Sequence, residues 1–346
     1  MQRRLVLNLR DRRPIWEMPA SVVDAVTDAL PGWEVVVPAV ETDGTGDGMS
    51  AAPPELLETV RGAELYFGFG MPRNLFLEAT TGPDARLRWV HSGSAGVRST
   101  LYPEMRESDV VLTNSAGIHG PPIAETVLGM VLYFARGLDF GVAAQHEGRW
   151  NQEPFYRPGS PLREVSGATL GILGLGGIGR DVASRALALG MRVLASRRRP
   201  GEAPAGVELA LGEDGLSRVL RESDYVVVAL PDTPDTRGLL SAARLDEMRP
   251  DAVLINISRG TVVDEGALAE RLAAGRLRGA GLDVFEKEPL SPDSPLWRLP
   301  NVLILPHVSP VSPRFWRREA ELILENIRRY LEDRPLLNVV DKRSGY

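Results

Sequence analysis

Apolar positions along the chain fall into short clusters, and many of the stretches between them repeat with a helical period. Over 5–9, 33–37, 64–69, 87–91 and 110–113 the clusters are rich in β-branched, leucine and aromatic residues and predict strands. Between them, 21–30 and 54–60 carry apolar residues every third or fourth position and predict helices. Strands separated by helices imply a parallel sheet covered on both faces. The segment 43–53, rich in Gly, Asp and Ala, reads as a surface loop. A long helical pattern follows over 121–137, opened by Pro121-Pro122 and stopped by Gly137. The stretch 144–165 then has no period and carries Trp150, Pro154, Tyr156, Pro158 and Pro161. A loop of that length inside a compact protein is usually functional or an oligomer contact.

A second α/β series begins at 169. Six apolar runs, over 169–173, 191–195, 225–230, 252–257, 279–284 and 302–305, with helical crossovers match a doubly wound dinucleotide-binding sheet. The segment 313–331 reads as one amphipathic helix. At 346 residues the chain exceeds what one hydrophobic core usually supports, which agrees with two domains.

The turn after the first strand of the second series, Thr169-Leu-Gly-Ile-Leu-Gly-Leu-Gly-Gly-Ile-Gly-Arg180, contains GxGxxG at Gly174, Gly176 and Gly179. Alone this is weak in a chain with 35 glycines. Here it follows a strand and opens a helix over 180–189, the context the motif requires. Gly174 permits a tight turn, Gly176 lets backbone approach a pyrophosphate, and Gly179 lets helix and strand pack closely. The helix N-terminus offers N–H groups to phosphate, with Gly177 and Ile178 in the turn before it also expected at the cofactor. At the end of the next strand, where an NAD site usually places Asp or Glu, the chain reads Ser196-Arg197-Arg198-Arg199. Guanidinium groups there would bind a 2′-phosphate, so NADP(H) is expected as the preferred cofactor. NAD(H) stays open, because the same arginines also read as solvated side chains at a strand end that tolerates either.

The remaining composition mainly excludes. A formal charge of −6, with basic residues spread along the chain, leaves no nucleic-acid footprint. Zero cysteines remove disulfides, thiolate metal sites and cysteine nucleophiles and fit a cytoplasmic protein. The opening segment MQRRLVLNLRDRR lacks the apolar run of a secretory signal, and no stretch reaches the roughly 20 apolar residues of a membrane span. No metal site and no membrane partner are expected.

Four histidines are present. His119 and His146 read as structural or surface residues, and the neighbours of His91 suggest no acid–base pairing. His307 follows the 302–305 strand and a proline, at the carboxyl end of a parallel strand, where ligands bind in open α/β sheets. Ile255-Asn-Ile-Ser-Arg-Gly260 puts Arg259 at another strand end, and Ala280-Gly-Leu-Asp-Val-Phe-Glu-Lys-Glu-Pro289 puts Asp283 and Glu288 after the next.

With these motifs the second half resembles the cofactor domain of the D-isomer-specific 2-hydroxyacid dehydrogenases, which include glyoxylate/hydroxypyruvate reductases and phosphoglycerate dehydrogenases. Thr113-Asn-Ser-Ala-Gly-Ile118 with Ala124-Glu125 is similar to that family's link into the cofactor domain. Val228-Ala-Leu-Pro-Asp-Thr-Pro-Asp-Thr-Arg-Gly238 resembles its adenine-side loop, and Ser92-Gly-Ser-Ala-Gly-Val97 its substrate loop. The likeness therefore runs over nearly the whole chain.

The resemblance implies two Rossmann-like, doubly wound parallel-sheet α/β lobes with a cleft between them. Residues 1–116, completed by 308–346, would form a flavodoxin-like substrate domain, and 117–307 the Rossmann dinucleotide-binding domain. It implies hydride transfer between NAD(P)H and a small 2-keto acid, with Arg259, Glu288 and His307 catalytic. His307 would exchange a proton with the substrate oxygen, Glu288 would favour the imidazolium, and Arg259 would hold the substrate carboxylate and polarise the carbonyl. Leu230, Pro231, Thr236 and Ile257 would line the cofactor, and Asp283 would orient the nicotinamide carboxamide or serve structure alone. Ser94, Ala95 and Gly96 would hold the far side of the carboxylate. Phe69 and Gly70, with Met71 beside them, would lie near the substrate's side chain or act as ordinary packing. The long helix and following loop imply a homodimer.

Two relatives give other readings. Formate dehydrogenases share the fold, but the resemblance implies glutamine where this chain has Glu288. Corepressors that bind NAD(H) to control protein contacts keep the Arg–Glu–His set, so a sensor or binding module is the alternative from a different class.

Overall fold

In the computed structural model the described residues are 2–11, 13–40, 51–160, 162–198, 200–343 and 345. Most of the expected 43–53 loop, Pro161 and Arg199 lie outside them. The chain divides into two compact units, residues 1–119 with 311–346 and residues 120–310.

The first unit is built on five parallel strands: β1 (Arg4–Asn8), β2 (Glu34–Val36), β3 (Leu65–Gly68), β4 (Trp89–Ser92) and β5 (Val111–Asn114). Their order is β2-β1-β3-β4-β5. Alternation along β1 explains why its run is continuously apolar. Leu5 and Leu7 face a core shared with Phe67, Trp89, Ile323 and Ile327, while Val6 faces one shared with Leu56, Tyr66, Leu75 and Val90. The expected helices are Ala20–Asp28, Pro54–Val60 and Phe315–Leu331, joined by Arg73–Thr81 and Pro103–Glu107, which periodicity did not bring out. Beyond Phe315–Leu331 the chain returns to the sheet's edge: Val340 N–H donates to Leu112 O (2.8 Å), and Asn114 N–H to Asn338 O (3.1 Å). This covers backbone that an open edge would leave unpaired.

The second unit carries seven parallel strands, one more than expected. They are β6 (Thr169–Leu173), β7 (Arg192–Arg197), β8 (Val207–Leu211), β9 (Tyr225–Val228), β10 (Val253–Asn256), β11 (Gly279–Leu282) and β12 (Val302–Ile304). The order is β12-β11-β10-β9-β6-β7-β8, with the direction of winding reversing between β6 and β9. The additional strand, β8, is an edge strand with only Ala210 buried, so it lacks the apolar run that marks the interior strands. The helix after β6 begins at Gly177, a turn earlier than expected. The supposedly irregular 144–165 stretch contains the end of Leu138–His146 and a turn at Glu153–Tyr156. Among the described residues no single helix is long and apolar enough to cross a membrane, and Gly120–Ala135 meets Leu138–His146 at a bend of 76°.

Candidate active site

At the β6 turn three glycines meet three different demands. Gly174 has φ of +97°, and a Cβ there would stand 2.6 Å from Ala229 O, so both conformation and space require glycine. A Cβ on Gly179 would lie 2.2 Å from Gly174 O, because the helix Gly177–Ala188 starts directly on the turn. A Cβ on Gly176 would meet nothing within 4 Å. That open space lies at the amino end of a 12-residue helix whose first N–H groups, from Gly177 and Ile178 on, have no partner within the helix. The tight turn, the helix end and the room beside Gly176 fit a dinucleotide pyrophosphate.

Ser196, buried at the end of β7, accepts Gly174 N–H on its carbonyl (3.1 Å) and so ties the next strand to the turn. Arg197 lies partly buried beside Gly201, and Arg198 is exposed and ion-paired to Asp235. Leu230 and Pro231 continue from β9. Thr236 closes that loop, its hydroxyl donating to Pro231 O (2.6 Å) and accepting Thr233 N–H (2.9 Å). Ile257 is buried beyond β10.

The Arg–Glu–His set comes together on the carboxyl ends of β10, β11 and β12, within the second unit. At the end of β10, Asn256 is buried and holds the turn: its Nδ2 donates to Arg259 O (3.1 Å), and its Oδ1 accepts Ser258 N–H (3.1 Å) and the Ser258 hydroxyl (2.9 Å). Arg259 is exposed, with Nη1 donating to Ser258 O (2.7 Å). Gly260 then passes so close to the β11 loop that a Cβ would fall 1.8 Å from the Phe285 carbonyl carbon. From that loop, Phe285 N–H donates to Glu288 Oε1 (3.0 Å), and Glu288 Oε2 accepts from His307 Nδ1 (2.7 Å). Burial pushes the Glu288 carboxyl up, but the His307 and Phe285 hydrogen bonds and the charges of His307 and Arg259 outweigh it. They hold it below the ordinary carboxylate range.

His307 sits in the left-handed region, φ +54°, unusual for a side-chain-bearing residue. The next two backbone N–H groups turn onto Asp283, which is fully buried after β11. Val308 N–H donates to Oδ1 (2.8 Å), and Ser309 N–H to Oδ1 (3.2 Å) and Oδ2 (3.1 Å). Asp283, expected on the nicotinamide, is thus engaged by the backbone that carries His307.

The substrate residues expected from the first unit stand at the carboxyl ends of β3 and β4. Phe69 joins an aromatic cluster with Trp16, Phe315 and Trp316, each 6.3 Å between ring centres, and Gly70 has φ of +98°. The carbonyls of Ser94 and Ala95 turn inward to Ser115 N–H (3.3 Å) and Asn114 Nδ2 (2.7 Å). Among the described residues, the N–H groups of Ala95 and Gly96 donate to no acceptor.

The other histidines separate clearly. His146 is exposed, and His119 stacks on Phe315 at 5.4 Å. His91, which has no apparent partner near it in sequence, is fully buried, and its Nε2 pairs at 2.9 Å with Glu319, 228 residues away. Among the described residues no group of three or more His, Asp or Glu is placed to hold a metal ion.

Residues 128–309 match the D-isomer specific 2-hydroxyacid dehydrogenase, NAD binding domain family. A glyoxylate reductase of Korarchaeum cryptofilum is 36% identical over 246 residues, covering 70% of this chain and 72% of its own. Among solved structures, a D-isomer specific 2-hydroxyacid dehydrogenase from Xanthobacter autotrophicus in complex with NADPH and MES is similar. It is 33% identical, with a TM-score of 0.80 and all of both chains covered. An NADPH-dependent glyoxylate/hydroxypyruvate reductase from Sinorhizobium meliloti, in complex with NADP and sulfate, is 31% identical with a TM-score of 0.78, again over the full length of both.

Proposed function

The chain belongs to the D-isomer specific 2-hydroxyacid dehydrogenases, and from that premise we propose that it reduces small 2-keto acids, glyoxylate and hydroxypyruvate among them, with NADPH preferred over NADH. The observation that carries the reading is the His307–Glu288 pair beside Arg259, three strand ends brought to one place. The bound nicotinamide supplies the hydride. Glu288 occupies Nδ1 of His307, which leaves Nε2 facing away from the pair to give a proton to the carbonyl oxygen and take it back in the reverse direction. The same hydrogen bond fixes the orientation of the ring. Arg259, on leaving the Ser258 carbonyl, binds the substrate carboxylate and draws charge from the carbonyl. The N–H groups of Ala95 and Gly96, with Ser94, are assigned to the carboxylate as well, and Phe69 and Gly70 to the substrate's substituent.

Gly174, Gly176, Gly177, Ile178 and Gly179 would hold the pyrophosphate, with Leu230, Pro231, Thr236 and Ile257 around the rest of the dinucleotide. The NADPH preference rests on Ser196-Arg197-Arg198, where no carboxylate would repel a 2′-phosphate, and on the two similar structures that hold NADPH or NADP. We also assign a cytoplasmic homodimer. Its contact would be the face from Gly120–Ala135 to Glu153–Tyr156, where Leu138, Trp150 (91% exposed) and Tyr156 (80%) present apolar surface. A sensor without turnover is not favoured by these relatives.

The test is oxidation of NADPH and NADH, followed by absorbance, against glyoxylate, hydroxypyruvate, pyruvate and phenylpyruvate. Turnover should prefer NADPH and fall about 10²–10⁴-fold in His307→Ala, with a comparable collapse in Arg259→Ala. Arg198→Ala should weaken NADPH more than NADH. Preference for NADH would sink the arginine argument. Tight cofactor binding without turnover on any acid would sink the enzyme.

A further inference from the structure

We propose that Asp283 is a positioning residue for His307: its buried carboxylate clamps the two peptide groups after the histidine and holds the imidazole where Glu288 can meet it. This rests on the reading of His307 as the proton donor. Three observations carry it. Asp283 is fully buried, yet its carboxylate accepts three hydrogen bonds from backbone, all from Val308 and Ser309. His307 immediately before them occupies a left-handed conformation that a residue with a side chain adopts at some cost, and persists only where surrounding structure determines it. The other partner of His307, Glu288, arises from the same β11 loop, five residues after Asp283. It is itself fixed by Phe285 N–H.

One short segment therefore grips the histidine twice, through the peptide at Asp283 and through the ring at Glu288. With the first grip lost, the loop would relax toward ordinary φ, and Nδ1 would swing off Glu288. A side chain spent on backbone in this way differs from one reserved for the nicotinamide amide, and the difference is measurable. The positioning role predicts a loss in the chemical step with cofactor affinity intact. A cofactor role predicts the reverse.

The experiment compares Asp283→Ala and Asp283→Asn in the full chain. NADPH affinity is read by nucleotide fluorescence, steady-state rates by glyoxylate reduction, and the Nδ1–H of His307 by imidazole NMR, assigned by its absence in His307→Ala. Misplacement of a catalytic group by about 1 Å is worth roughly a hundredfold. Asp283→Ala should accordingly lose about 30–100-fold in kcat, change NADPH affinity by less than about twofold, and lose the hydrogen-bonded Nδ1–H signal. Asn keeps the Oδ1 acceptor that takes both N–H groups, so Asp283→Asn should retain roughly a third of kcat and keep the signal.

A tenfold weaker NADPH affinity with kcat preserved would overturn the proposal, as would Asn as impaired as Ala. Should Asp283→Ala fail to fold, Ser309→Pro removes one donor and leaves the carboxylate in place. A drop of about tenfold in kcat at unchanged NADPH affinity supports the clamp, and an unaltered kcat overturns it. The Nδ1–H signal and NADPH affinity need no turnover. An inactive wild-type protein would therefore refute the catalytic reading while leaving the clamp separately decided by these two measurements.

Discussion

Glu319→Ala should unfold the first unit at a markedly lower temperature, although the Arg–Glu–His set belongs to the second. Glu319 projects from Phe315–Leu331 into the sheet, where its side chain and that of His91 on β4 are both 0% exposed. Its Oε1 accepts from His91 Nε2 at 2.9 Å and from the Ser115 hydroxyl at 3.1 Å. The other ring nitrogen of His91 meets Thr113 Oγ1 at 2.9 Å, and that hydroxyl also accepts Trp89 Nε1–H at 2.8 Å. Removing the carboxylate takes the 2.9 Å partner of His91 Nε2 from a ring that water cannot reach, while the Ser115 hydroxyl keeps Ser92 O at 2.9 Å. Breaking a buried pair from one side costs about 3–5 kcal/mol. For a domain of roughly 150–250 residues each kcal/mol moves Tm by about 2–4 °C, so the fall should be on the order of 10 °C.

The assay is differential scanning calorimetry of wild type, Glu319→Ala, His91→Phe and His91→Phe/Glu319→Leu, with NADPH added in parallel runs. Nucleotide binding to the glycine turn raises the transition of the second unit by mass action and so identifies which transition belongs to the first. Replacing both members of a buried pair by apolar groups of similar size is often nearly neutral, so the double variant should be more stable than either single one. A fall below about 3 °C in Glu319→Ala, or single effects that simply add in the double, would refute the reasoning, since uncoupled sites are additive. The network would then be contributing no more than an ordinary surface contact.

Two further perturbations follow from the geometry. Gly260→Ala places a Cβ 1.8 Å from the Phe285 carbonyl carbon, so the Arg259 turn must move off the loop that fixes Glu288; kcat/KM for the keto acid should drop about a hundredfold, and unimpaired kinetics would show that Arg259 needs no such seat. Glu64 is held below its ordinary value of 4.5, because hydrogen bonds from Arg3 (2.6 Å) and the Tyr330 hydroxyl (2.7 Å) outweigh the upward push of burial. A depressed carboxylate contributes stability that is present above its unfolded pKa and lost as pH falls through the folded one. Glu64→Gln should therefore be less stable than wild type in urea at pH 7, with the gap closing below about pH 4. A gap that stays constant with pH would show that the carboxylate's charge contributes nothing.

What could be read from sequence, and what could not, divides by distance along the chain. Strands buried on both faces announced themselves because each is one apolar run, whereas β8 shows a single buried residue and no local signal. The glycine turn was legible because strand, glycines and helix are consecutive. The strand-end positions of Arg259, Glu288 and His307 were legible for the same reason, each residue following an apolar run of its own. The partners of these residues were less so. Gly174 and Gly260 look alike in sequence, yet one is required by a positive φ and the other by the peptide of Phe285, met only after β10 and β11 pair. Asp283 could be placed at a strand end, but its two backbone donors, Val308 and Ser309 N–H, arrive from a loop some 25 residues later. His91 showed no partner because Glu319 stands 228 residues away. These contacts share one physical character: a polar group, buried and satisfied by chain distant from it. Periodicity and spacing report on neighbours, so they find the groups that do chemistry before the groups that hold them still. The second kind decides whether the first is aligned, which is why the close approach at Gly260 and the backbone partners of Asp283 come from the folded chain alone.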